Sequence, residues 1–131
     1  MWYFVVDHKK YGSAVMCGYQ FAEIFGKNNA QTVSDLNEIQ LQPNDVVLVI
    51  KRTDIEFERV PDVFYVYNVV DKYCETNIET DYMNKFDLII VANRQLMHTL
   101  YNNNCRAFIR VLHHTWDPRL KNKKPCQKTE T

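Results

Sequence analysis

Val46-Val47-Leu48-Val49-Ile50 is the stretch on which the fold turns. All its residues are apolar. A strand with one face in water would alternate, so this run reads as a parallel strand covered on both faces. A turn, Gln42-Pro43-Asn44, precedes it, and Lys51-Arg52 follows it.

Similar runs lie on either side. Trp2–Val6, Ala30–Val33, Val63–Val70, Leu88–Ala92 and Ala107–Leu112 read as further strands. Helical segments alternate with them. Ser13 can cap a helix over Ala14–Phe25, which Gly26 would stop. That helix is apolar around much of its circumference, so it should pack on a sheet, with Cys17 as a small core residue. Ser34-Asp35 can start a single turn near Leu36–Ile39. Lys51–Arg59 suggests a weak helix and Asn77–Lys85 a firmer one. Leu96, Met97 and Leu100 recur at helical spacing within Arg94–Asn102. The expected fold class is α/β: a single Rossmann-like three-layer domain over residues 1–118, with a mostly parallel sheet of about six strands. Residues 119–131 read as a polar tail or linker stub.

Composition sets outer limits. A chain of 131 residues is one domain and buries about two-thirds of its unfolded surface without staples. Lys plus Arg balance Asp plus Glu at 16 each, so the chain has no overall pull on a phosphate polymer or an anionic bilayer. Hence no nucleic-acid partner is expected. No apolar run has the ~20 residues of a membrane span. The start, MWYFVVDHKK, lacks a basic leader region, and Asp7 breaks its apolar run, so a cytoplasmic location is expected. Cys17, Cys74, Cys105 and Cys126 form no close pair, and the histidines do not complete a zinc spacing. Reduced thiols and no metal follow.

Parallel sheets carry ligands outside the carboxyl ends of their strands. The residues just after each run are therefore the candidates. They are Asp7, His8, Lys9 and Lys10; Lys51 and Arg52; Asp71 and Lys72; Asn93 and Arg94; and His113, His114 and Trp116. Asp71 also has a plainer reading, as a cap or as a partner of Lys72 or Lys51. Gly12 and Ser13 open the first helix and offer free backbone N–H groups to an anion. Adjacent His113 and His114 diverge in an extended segment and make a poor metal pair. The first loop lacks GxGxxG and GxxxxGK[ST], and no GxSxG elbow occurs.

Four segments together resemble the N-terminal, acceptor-side half of GT-B glycosyltransferases. They are NDVVLVIKR (44–52), VFYVYNVVDKY (63–73), FDLIIVANRQLMHTLY (86–101) and AFIRVLHHTWDP (107–118). Asp71 matches the family's acid after the fourth strand, and Phe86-Asp87 matches the start of its "aD" pattern. Asn93 stands where Ser or Thr is usual. His113 or His114 with Asp117-Pro118 matches the final "H..dP" segment. The first loop, DHKKYGSA, is poorer in glycine than the family's.

The resemblance implies sugar transfer from a nucleotide sugar to an acceptor glycan or small molecule. Asp71 or His8 would be the catalytic base. Lys9, Lys10, Gly12, Ser13, Lys51, Asn93, Arg94, His113 and His114 would bind acceptor or phosphate. It also implies a missing C-terminal donor-binding domain or partner chain, without which the domain is incomplete. The chain itself would hold no cofactor; the nucleotide sugar would come with the second domain. The alternative is a non-catalytic, flavodoxin-like α/β binding or interaction module. A receiver version is disfavoured, because Asp7 stands alone and the third strand ends in Lys51-Arg52 rather than an acid.

Overall fold

The computed structural model describes residues 1–6, 18–70 and 80–112, with only the backbone of Val70 and Thr80. Six strands form one sheet: β1 (Trp2–Val5), β2 (Ala30–Val33), β3 (Val46–Ile50), β4 (Phe64–Val70), β5 (Leu88–Val91) and β6 (Phe108–Val111). The order is β2-β1-β3-β4-β5-β6, and every neighbouring pair is parallel. All six carboxyl ends therefore share one rim. The expected α/β class and three-layer sheet are what the chain adopts.

Pleating divides the side chains between two faces. Val47, Val49, Tyr65, Tyr67, Ile89, Val91 and Ile109 point into the larger core. Phe4, Val6, Leu48, Ile50 and Val66 point into the smaller one on the other face. The larger core is closed by a 3₁₀ turn (Leu36–Glu38), by Ile55 and Phe57, by α2 (Thr80–Met83) and by α3 (Arg94–Asn102). The smaller core is closed by α1 (Gln20–Phe25), through Phe21, Ala22 and Phe25. Phe25 meets the rings of Trp2 and Phe4 edge-on at 5.1 and 5.7 Å.

Local rules account for most boundaries. Gly26 ends α1 at φ +89°, a conformation that costs a side-chain-bearing residue energy, and its N–H bonds Ala22 O at 3.1 Å. Asp35 caps the 3₁₀ turn by accepting from Asn37 N. The part of the first helix before Gly18, including its expected Ser13 cap and Cys17, lies outside the described residues. The described part packs on the sheet as expected, while Ile24, also apolar, is 66% exposed.

The segment from Lys51 to Arg59 corrects another expectation. It forms no helix. Ile55 and Phe57 are spaced by two, the period of an extended chain, and both turn toward the sheet. Phe57 stacks on Tyr65 at 4.9 Å and tilts against Phe86 at 5.4 Å. Tyr82 Oη donates to Ile55 O at 2.9 Å, satisfying the extended backbone where a helix would have satisfied itself.

Candidate functional site

The rim begins where β3 stops. Lys51, the first residue past it, has φ +63°, left-handed backbone in a residue that carries a Cβ. Lys51 N–H still completes the β3–β4 ladder, donating to Asn68 O of β4 at 2.9 Å. Beside that contact the β4–β5 register shifts between Asn68 and Val70, an irregularity of the bulge type. Bulges and strained backbone are over-represented at binding sites, because both re-aim side chains. Here the two meet on neighbouring strands at the carboxyl end of the sheet.

Arg52 fixes the adjacent part of the rim. Its guanidinium donates to Val6 O at 3.1 Å, at the end of β1, and to Ser34 O, just past β2. The same group grips Asp54 at 3.1 and 2.8 Å. Ser34 is held from its other side, since its N–H and Oγ both donate to Glu38 Oε1. The ends of β1, β2 and β3 are thus tied by one planar fork, a task for which a lysine has the wrong geometry.

At the next exit, Asn93 caps α3, with its Oδ1 accepting from Leu96 N at 2.8 Å. Ser and Thr would cap equally well, so helix capping alone explains why this position suits all three. Arg94 follows, exposed, and makes no ion pair among the described residues. Two strand spacings, roughly 10 Å, separate the ends of β3 and β5. Lys51 and Arg94 therefore flank the end of β4, from which the chain runs on to Asp71.

Of the candidate site residues, Lys51, Asn93 and Arg94 stand at this rim. Asp71, His8, Lys9, Lys10, Gly12, Ser13, His113 and His114 lie outside the described residues. Arg52 was a strand-end candidate in the sequence, but its clamping role had no signal there beyond the Arg-x-Asp spacing of 52 and 54. One rim residue escaped the sequence reading altogether. Asn68 is the one polar residue in the run FYVYNVV, and it sits half-buried at the bulge.

Among the described residues, the buried carboxylate and the resolved titration shifts lie elsewhere in the fold. Asp45, a buried carboxylate at the amino end of β3, receives the Met1 ammonium at 3.3 Å and Gln42 N at 2.7 Å. Tyr3 titrates above its ordinary range, first through burial and then through the nearby Asp45 charge. Burial likewise raises the Cys105 thiol, opposed in part by a hydrogen bond from the Ala107 backbone. The "aD" acid, Asp87, also sits at an amino end. It accepts from Tyr65 N at 2.9 Å and from Arg59 Nη2 at 2.8 and 3.0 Å. Among the described residues no three His, Cys, Asp or Glu side chains gather as a metal set, and no helix is long and apolar enough to cross a membrane.

No protein family, curated protein or solved structure matches this chain.

Proposed function

We propose that the chain is the acceptor-side half of a GT-B-like glycosyltransferase, contributing to sugar transfer from a nucleotide sugar and incomplete alone. The observation that carries this reading is the meeting of the left-handed Lys51 turn with the β4 bulge, on a rim shared by all six strands. In the inverting form of the reaction, Asp71 or His8 takes the proton of the acceptor hydroxyl. The acceptor oxygen then bonds the anomeric carbon, and the nucleoside diphosphate leaves with the electron pair of the broken bond. Lys51 and Arg94 offer cationic contacts for a phosphate or an anionic sugar.

The test is an NMR titration of the intact chain with nucleotide sugars and with acceptor glycans. Acceptor shifts should centre on Lys51, Asn68 and Arg94, and Lys51→Ala and Arg94→Ala should weaken them. Turnover of donor by this chain alone at an enzyme-like rate would refute the half-enzyme reading.

A second reading has an observation of its own. Within the sheet, β2-β1-β3-β4-β5 is the flavodoxin-like order, and Asn93 is spent on a cap. Both suit a non-catalytic binding module. The same titration separates the two, because such a module would answer neither to nucleotide sugars nor to acceptors.

A further inference from the structure

The two faces of the sheet are covered unequally. The described connections from β2 to β6 all send their packing residues to the larger core; α1 alone lies on the other face, over β1, β2 and β3. Among the described residues no element lies over the β4–β6 half of that face. Phe64 is 47% exposed, Phe108 71% and Leu112 56%, and Leu88 and Ile90 are only partly covered. The strand register joins them into one patch, with Leu88 beside Phe108 and Ile90 beside Arg110. Parallel sheets are buried on both faces, so a bare apolar half is a docking surface in search of its layer.

Arg110 identifies the kind of partner. It is exposed within the patch, its Nη1 donates to Ile109 O at 3.3 Å, and no carboxylate pairs with it among the described residues. A cation ringed by apolar side chains selects a partner that carries an acid among its own apolar groups. Width points the same way. From β4 to β6 is two strand spacings, about 10 Å, which matches the ~10 Å diameter of one α-helix. The chain's own residues 113–131 fit badly by composition: they hold Arg119, Lys121, Lys123, Lys124 and Lys128 against Asp117 and Glu130, with few apolar residues.

We propose that this face docks an amphipathic α-helix of a partner protein, with an apolar stripe against Phe64, Leu88, Ile90 and Phe108 and a carboxylate in the stripe against Arg110. The surface lies on the flat of the sheet, apart from the rim, so it stands whether or not the rim transfers sugar.

The probes are two stapled helical peptides of about 14 residues, each with a leucine stripe, carrying either Glu or Lys at the middle of the stripe. Binding is read by fluorescence anisotropy. The intact wild-type chain should prefer the Glu peptide by on the order of tenfold. Arg110→Glu should reverse that preference. Phe108→Asp should abolish binding of both peptides while circular dichroism stays unchanged, since Phe108 is largely exposed. Indifference to the peptide's charge, or no binding of either peptide, would overturn the proposal. So would self-association of the wild-type chain that Phe108→Asp abolishes, because the cover would then be a second copy.

Discussion

Replacing Asp87 by alanine tests how the amino ends of β4 and β5 are held. Two Asp87 interactions are lost in that variant. Its Oδ2 accepts from the part-buried Tyr65 N–H at 2.9 Å, and its carboxylate pairs with Arg59 at 2.8 Å. The first loss strands a backbone donor, at about 1–3 kcal/mol. The second is smaller. Arg59 is 44% exposed and Asp87 29%, so solvent screens the pair to roughly 0.2–1 kcal/mol. Asp87→Ala should therefore cost about 2–3 kcal/mol. At a urea slope of roughly 1.5 kcal/mol/M, the midpoint falls by about 1–2 M. Asp87→Asn keeps an acceptor for Tyr65 N and gives up only the charge, so it should cost about 0.5 kcal/mol. Arg59→Ala loses the pair and the stacking of its guanidinium over the Tyr65 ring at 5.0 Å, for about 1 kcal/mol. The expected order of damage is Asp87→Ala, then Arg59→Ala, then Asp87→Asn, read by circular dichroism in urea. If Asp87→Asn is as damaging as Asp87→Ala, charge rather than the backbone acceptor holds the strands, and the reasoning fails.

Three further outcomes follow from the packing. A Cβ on Gly18 would collide with Val6 Cγ1 and sit 3.0 Å from Ile50 Cδ1, and Val6 is stiff at χ1; Gly18→Ala should cost about 1–3 kcal/mol despite alanine's better helix propensity, and adding Val6→Ala should recover part of the loss in the same melt. Lys51→Gly relieves left-handed strain of about 1–2 kcal/mol against a backbone-entropy cost of about 0.5–1, so stability should hold or rise slightly; a loss above about 1 kcal/mol would show that the Lys51 side chain itself anchors the strand end. Burial holds the Cys105 thiol above its ordinary range, so its stabilising share is full below the unfolded value and is lost as pH rises through the folded one. As pH rises above about 8.5, the ordinary thiol value, the wild type should lose stability more steeply than Cys105→Ala, and parallel curves would refute this. Tyr3, shifted in the same direction, is common to both chains and cancels.

How legible was all this in the sequence? The strands were, because uniform apolar runs such as VVLVI and LIIV have one stable destination, the middle of a parallel sheet. The Lys51–Arg59 segment was misread because its charged residues hide the Ile55–Phe57 alternation; only the aromatic cluster built by Phe57, Tyr65, Tyr82 and Phe86 shows what those two residues anchor. The rim was legible as a place. Its strongest marks were not, because they belong to the backbone. Lysine is no favoured residue for positive φ, and Asn68 reads as an ordinary polar interruption until the register beside it slips.

The site motif divides in the same way. Asn93 and Asp87 answer to helix capping and strand clamping, tasks that any fold of this class imposes at those positions. They would match a family's pattern whether or not the chemistry came with it. Lys51 is different. Its left-handed turn carries a backbone cost in a residue with a Cβ, next to the Arg52 clamp on the neighbouring strand ends. Strained backbone clusters at functional sites, so an outlier at the rim supports a hypothesis of function there. The turn at Lys51, more than the acids the pattern singles out, is therefore where the sugar-transfer reading stands or falls.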